Sequence, residues 1–109
     1  MITLNLYYTG TNGSAGAFAE EMVRSGIVAA IRAEEGNLRY EYFFPMDDPE
    51  TVLLIDQWQD QAAIDVHHAS PMMVKIAALR EKYDLHMHVE RFVSDENGLP
   101  EKDKQFIKD

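Results

Sequence analysis

The segment Thr51–Trp58, with the sequence TVLLIDQW, is the feature that most limits how this chain can fold. Its length and its β-branched residues predict a strand. Successive side chains of a strand point to opposite faces, and the centre of this segment is apolar at consecutive positions, so both of its faces need to be covered. A chain of 109 residues has room for one domain, whose own helices can cover only one face of a sheet.

Turn residues and helix caps divide the rest of the chain into three further strands and three helices. Ser14, Asp60 and Ser70 are the predicted N-caps. Gly26 weakens the first helix and predicts a kink or break in it, and Gly36 ends it. The predicted strands cover 1–9, 37–44, 51–58 and 84–93, and the helices cover 14–35, 61–69 and 71–82. The order β-α-β-β-α-α-β predicts an α+β, ferredoxin-like antiparallel sheet with its helices on one face.

The sheet face that points away from the helices indicates that the protein binds a partner. Such a face must be covered, and a second copy of the same sheet is the simplest cover for a chain of this size. We therefore expect a homodimer whose sheets face each other. The folded domain is expected to span residues 1–93, and residues 94–109 are predicted to form a polar C-terminal tail.

Charge and cysteine content exclude several kinds of partner and site. The formal net charge is −9, so the chain repels nucleic acid phosphates and anionic lipid. The absence of cysteine excludes disulfides, thiolate metal sites and cysteine nucleophiles. No apolar stretch approaches the roughly 20 residues that span a bilayer, and no signal peptide is evident, so we expect a cytoplasmic protein. Neither a metal nor a bound cofactor is expected.

Three segments of the chain resemble the antibiotic biosynthesis monooxygenase superfamily of dimeric α/β barrels. They are EEGNLRYEYF at 34–43, IDQWQDQAAIDVHHASPMM at 55–73 and LHMHVERF at 85–92. The core of the resemblance is Asp56-Gln57-Trp58, followed by His67 and Ser70-Pro71, and the likeness extends from Met1 to about Val93. It implies a monooxygenase without a cofactor, which uses dioxygen to oxidise a small phenolic or quinol-type substrate in a pocket between the sheet and the helices.

The resemblance implies a site built around His67 and Trp58. An imidazole suits removal of a proton from a phenolic hydroxyl group, and a flat indole suits packing against an aromatic ring. Each residue also suits a structural role, His67 at the end of a short helix and Trp58 as a core side chain. Further candidates for substrate binding are polar or aromatic strand residues, namely Asn5, Tyr7, Tyr40, Tyr42 and His86.

Two other functions fit the same resemblance. The EEGNLR segment at 34–39 is as close to superfamily members that isomerise small oxygenated signalling metabolites, although a flat indole at position 58 suits a ring better. A non-catalytic dimer that binds a small ligand is the second alternative. Haem degradation is disfavoured, because the predicted helix 71–82 contains no histidine to bind haem iron.

The first prediction concerns assembly. Because the third strand is apolar on both faces and the helices cover only one, the protein should form a stable dimer through its open sheet face. Sedimentation at micromolar concentration measures the mass in solution. A well-folded monomer at that concentration would contradict the prediction.

Overall fold

The computed structural model describes residues 1–108. Four strands and five helices lie in this part of the chain, and each predicted strand is present within two residues of its expected ends. The strands are β1 (Ile2–Thr9), β2 (Asn37–Phe43), β3 (Thr51–Trp58) and β4 (His86–Val93). The helices are α1 (Ser14–Arg24), α2 (Ile27–Arg32), α3 (Gln61–His68), α4 (Met72–Lys82) and α5 (Glu101–Lys104).

The strands form a single antiparallel sheet in the order β2-β3-β1-β4. β3 therefore lies inside the sheet, between β1 and β2, and the predicted antiparallel pairing of β2 with β3 is confirmed. The helices α1 and α2 lie on one face of the sheet, with α3 and α4 beside them. The predicted fold class is confirmed as an α+β, ferredoxin-like sheet with its helices on one face.

Alternation along β3 divides its side chains between the two faces of the sheet. The helix side carries Val52, Leu54, Asp56 and Trp58, all buried, and the other side carries Leu53, Ile55 and Gln57, all half-buried. The core lies on the helix side, where Phe18, Met22 and Ile31 of the first two helices are fully buried. The apolar residues on the opposite face have no second layer over them within the described chain, so the dimer stays a prediction.

The predicted helix 14–35 is two helices. α1 ends at Arg24, and Gly26 then adopts a left-handed conformation with φ 88, after which α2 begins at Ile27. Glycine takes this conformation without steric penalty, so the chain can reverse there and let α2 pack on α1 and β2. The break at Gly26 confirms the interruption that this glycine predicts.

Of the three predicted N-caps, one is confirmed and two are wrong. Ser14 is not the N-cap of α1: it is the first helical residue, and its hydroxyl accepts the Thr11 N–H at 3.0 Å. Ser70 does not cap α4, because its hydroxyl is buried without a hydrogen-bond partner in the described chain. Asp60 does cap α3, and its carboxylate accepts the Ala63 N–H at 2.9 Å.

The side chains of β4 do not alternate between buried and exposed positions. Both sets of side chains on β4 are largely exposed, including Met87 and Val89 on the side of the sheet that faces the helices elsewhere. The reason is that β4 is an edge strand over which no helix packs closely. On α4, Ile76 is the buried residue and its neighbour Ala77 is exposed.

The C-terminal tail contains the short helix α5 and remains exposed, with Phe106 82% accessible. Residue 109 of the predicted tail lies outside the described residues. The division into a domain at 1–93 and a tail at 94–109 stays a prediction. No helix within residues 1–108 is long and apolar enough to cross a membrane.

Gly36 fixes the position of α3 against the turn that precedes β2. It has φ 86, and its carbonyl accepts the Gln59 N–H at 2.8 Å. A Cβ atom at this position would lie 2.6 Å from the Cβ of Ala63 on α3. Only glycine therefore allows the turn and the helix to approach this closely.

The second prediction compares two glycines with the same backbone conformation. Gly36→Ala should lower the free energy of unfolding clearly more than Gly26→Ala. Both substitutions place a side chain at positive φ, at a cost of about 1–2 kcal/mol, but only position 36 adds a collision with Ala63. Urea unfolding followed by circular dichroism measures both values. Equal losses at the two positions would show that the contact with α3 is not tight.

Candidate active site

Polar and aromatic side chains meet on the helix side of the sheet. The cluster comes from three adjacent strands and two helices, and its members are Tyr8, Tyr40, Tyr42, Asp56, Trp58, His67 and Arg80. Strand register explains part of the arrangement, since Asp56 lies directly opposite Tyr40 of β2. Such a concentration of buried polar groups is uncommon in a core of this size and marks the region as a candidate site.

Asp56 is the most unusual member of the cluster. Its residue is 5% exposed, and its Oδ1 atom has no hydrogen-bond partner within the described chain. Burial raises the pKa of the carboxyl group to about 7, the Trp58 indole N–H opposes this rise, and the negative charge of Glu34 adds to it. A carboxyl group with this pKa exchanges a proton near neutral pH, as a general acid or base must.

Trp58 and His67 form a stacked pair beside this carboxyl group. Trp58 is completely buried, and the His67 ring lies against it with centroids 4.7 Å apart and planes tilted by 32°. The indole nitrogen has no partner that satisfies hydrogen-bond geometry, although it is close enough to favour the ionised form of Asp56. The Nδ1 atom of His67 is 2.7 Å from the Glu34 carboxylate, to which it donates.

Three tyrosines and an arginine form the other side of the cluster. Arg80 donates from Nη2 to the Tyr8 hydroxyl at 2.8 Å and lies 5.3 Å from the centre of its ring, while its Nε atom has no partner among the described residues. Tyr40 and Tyr42 meet edge to face at 6.0 Å, and the Tyr42 hydroxyl is also buried without a partner there. Burial raises the pKa of all three phenols, so each is neutral at physiological pH.

A groove between α1 and β2 borders the cluster at Tyr42. It has an open volume of about 520 Å³, and Tyr42 forms part of its wall. The remaining residues of the lining are Ala19, Glu20, Val23, Arg24 and Phe44. The Tyr42 side chain therefore belongs both to the groove and to the cluster around Asp56.

The predicted site residues are divided between the two faces of the sheet. His67, Trp58, Tyr40 and Tyr42 lie together on the helix side. The other three candidates, Asn5, Tyr7 and His86, point to the opposite face, where Tyr7 and His88 are 5.9 Å apart. Alternation is the physical reason, because neighbouring positions of β1 face opposite ways. Roles for these three residues stay predictions, but within one chain they do not share a pocket with His67.

Several members of the cluster are not among the sequence-based candidates. Asp56 could have been found, because it shares a strand face with Trp58 and belongs to the same short motif. Glu34 lies 33 residues from His67, and Arg80 lies 72 residues from Tyr8, so no local spacing indicates either pair.

Metal ligation is the remaining chemistry to consider. Within residues 1–108, no three His, Asp or Glu side chains are grouped closely enough to hold a metal ion. The predicted absence of a metal or cofactor stays a prediction.

The chain is similar to known proteins both in its sequence and in its fold. The family model described as antibiotic biosynthesis monooxygenase matches residues 1–79 of the chain. A segment of 42 residues is 36% identical to the Bacillus subtilis (strain 168) protein named "Putative monooxygenase YcnE". That segment covers 38% of this chain and 44% of the relative, so less than half of the relative's length is matched.

Solved structures resemble the fold over most of its length. PA3566 from Pseudomonas aeruginosa is 26% identical with a TM-score of 0.72, covering 85% of this chain and 92% of that one. SnoaB, a cofactor-independent oxygenase from Streptomyces nogalater, is 22% identical with a TM-score of 0.72, covering 92% and 97%. At this level of identity the likeness to SnoaB shows a shared fold.

The third prediction concerns the pH dependence of stability. Folding raises the pKa of Asp56 from 3.8 to about 7, so the folded state binds a proton more tightly than the unfolded state does. This contribution to stability is complete below pH 4 and is lost as pH rises toward 7, by an amount on the order of 4 kcal/mol. Asp56→Asn removes the ionisation, so its free energy of unfolding relative to the parent protein should increase between pH 4 and pH 7.

Urea unfolding at several pH values measures this difference. Asp65→Asn is the matched control, because Asp65 is an exposed residue of α3. A difference between Asp56→Asn and the parent protein that does not vary with pH would show that Asp56 ionises normally.

Proposed function

The chain belongs to the antibiotic biosynthesis monooxygenase family, and from that premise we propose that it is a cofactor-independent monooxygenase for a small phenolic or quinol-type substrate. The observation that carries the proposal is the buried carboxyl group of Asp56, which lies beside the indole N–H of Trp58. Among residues 1–108, neither the Oδ1 atom nor the indole nitrogen has a partner that satisfies hydrogen-bond geometry. Burying two unsatisfied polar groups destabilises a core, so their presence favours a role in binding or chemistry.

The chemistry begins with removal of a proton from the substrate. An ionised hydroquinone or anthrone is a strong enough reductant to transfer an electron to dioxygen, so the protein needs only to remove the proton and bind the resulting anion. In the proposed reaction one oxygen atom of dioxygen enters the substrate and the other leaves as water. Both hydrogen atoms of that water come from the oxidised substrate, which also supplies the electrons.

Asp56 is the proposed proton acceptor. Its pKa of about 7 leaves a substantial ionised fraction at neutral pH while keeping the carboxylate basic enough to accept a phenolic proton. The guanidinium group of Arg80 supplies positive charge on the same side of the sheet, where its Nε atom is free to donate to an anionic oxygen. The surrounding tyrosines and the closed core keep water away from the anion.

His67 is the alternative proton acceptor that the sequence predicts. Its Nδ1 atom is hydrogen-bonded to Glu34, and one face of its ring is against Trp58. These contacts favour a role for His67 in holding the Trp58 indole in place. We therefore assign proton removal to Asp56. Substitution of each residue separates the two assignments.

The family and the open sheet face also support a homodimer. Leu53 and Ile55 of β3 lie half-buried on that face, and Phe92 of β4, on the same face at the far side of β1, is 51% exposed. We propose that the sheet of a second copy covers these residues. The proposed chemistry then takes place on the helix side of each subunit.

The fourth prediction tests the proton acceptor. Asp56→Asn should lower turnover by about 10²–10⁴-fold, the usual contribution of a general base, whereas Asp65→Asn should leave it unchanged. In the parent protein, kcat/KM should rise with pH through about 7, because the base acts in its ionised form, and this rise should be absent in Asp56→Asn. Oxygen consumption with a panel of hydroquinones and anthrones provides the rates.

The His67→Ala variant completes this experiment. If Asp56→Asn keeps full activity and His67→Ala loses about 10²–10⁴-fold, then His67 is the base and our assignment is incorrect. If the parent protein oxidises no member of the panel, the proposed substrate class is rejected. An isomerase or a ligand-binding dimer would then be the remaining alternatives.

A further inference from the structure

The hydrogen bond between Glu34 and His67 joins two segments that are distant in the sequence. Glu34 lies in the turn between α2 and β2, and His67 lies near the end of α3. The distance from Glu34 Oε2 to His67 Nδ1 is 2.7 Å, and the two side chains are only 18% and 5% exposed. Little water therefore competes for this hydrogen bond, which makes it stronger than a similar contact on the surface.

The helix α3 also has other contacts with the turn that precedes β2. The helix is already positioned by the close approach of Gly36 to Ala63 and by the Gln59 N–H, which donates to the Gly36 carbonyl. Two apolar side chains in place of the buried pair would hold the helix equally well without the cost of removing polar groups from water. The contact between the imidazole and Trp58 therefore explains the carboxylate and the imidazole at these positions better than docking of the helix does.

The imidazole touches Trp58. Its ring is constrained at Nδ1 by Glu34 and on one face by the indole, so it cannot rotate without losing the hydrogen bond. The indole in turn has no hydrogen bond of its own that would fix it, since Nε1 has no partner in the described part of the chain. Packing against the constrained imidazole is therefore one restraint on the position of the indole N–H beside Asp56.

We propose that Glu34 is a positioning residue, which acts through the His67 imidazole to hold the Trp58 indole next to the reacting groups. The expected effect of Glu34 on the reaction rate rests on the proposed function. Its expected effect on the position of the Trp58 indole does not. Glu34 does not touch the substrate in this scheme. Its removal should therefore affect the rate of reaction more than substrate binding.

The indole N–H itself provides the test. Trp58 is the only tryptophan, so a ¹H–¹⁵N spectrum of the protein contains one indole signal. Glu34→Gln, which keeps the shape but removes the charge, should shift and broaden that signal, whereas Glu35→Gln should leave it in place. Glu35 is an exposed neighbour of Glu34 and gives a matched control for the change of charge.

Turnover supplies the second measurement. Glu34→Gln should lower kcat by roughly tenfold with little change in KM, because small displacements of groups at the site affect the rate strongly. If Glu34 acts through His67, the double variant Glu34→Gln/His67→Gln should have the same kcat as His67→Gln alone. Additive losses in the double variant would contradict the proposed route.

The two measurements separate the inference from the proposed function. An indole signal that is unchanged in Glu34→Gln overturns the inference whether or not the protein consumes oxygen. Failure of the parent protein to oxidise any phenol or quinol rejects the proposed function, while the indole signal still shows whether Glu34 holds Trp58. If Glu34→Gln does not fold, Glu34→Asp, whose carboxylate is one methylene further from His67, should shift the signal, and an unchanged signal there also overturns the inference.

Discussion

The pleat of β3 is the constraint on which the candidate site depends. This strand lies inside the sheet and is hydrogen-bonded to β1 on one side and to β2 on the other. Its side chains cannot change faces without a shift of register in both pairings, so Asp56 and Trp58 are held on the helix side. A carboxyl group in that place loses contact with water, which raises its pKa to about 7.

The cluster around Asp56 destabilises the core in which it lies. Among residues 1–108, four side-chain atoms of the cluster are buried without a hydrogen-bond partner, namely Asp56 Oδ1, Trp58 Nε1, Tyr42 Oη and Arg80 Nε. An apolar side chain at position 56 would fill the same space without the cost of desolvating a carboxyl group. Polar groups that are buried and unsatisfied in this way are characteristic of functional sites, where a bound molecule can complete their hydrogen bonds.

The same strands form two faces of the sheet that differ in character. One face carries the buried polar cluster, and the other is the open apolar face. Alternate residues of β3 form the buried cluster and the open apolar face, where Leu53 and Ile55 lie. In β1 the same alternation separates Tyr8, which binds Arg80, from Tyr7, which packs near His88. A substitution at the open face can therefore change assembly while leaving the groups around Asp56 in place, since the sheet itself lies between them.

The sequence by itself determined the parts of this protein that depend on neighbouring residues. Alternation and turn residues located the strands within two positions, the Asp60 cap located α3, and the motif around Trp58 indicated both the family and the shared face of Asp56 and Trp58. Only the assembled fold establishes the separation of Tyr7 from Tyr42 and the contacts of Glu34 with His67 and of Arg80 with Tyr8. The physical reason is that strand periods and helix caps act over a few residues. Contacts between distant segments, and the pKa of a buried carboxyl group, depend on how the assembled elements exclude water.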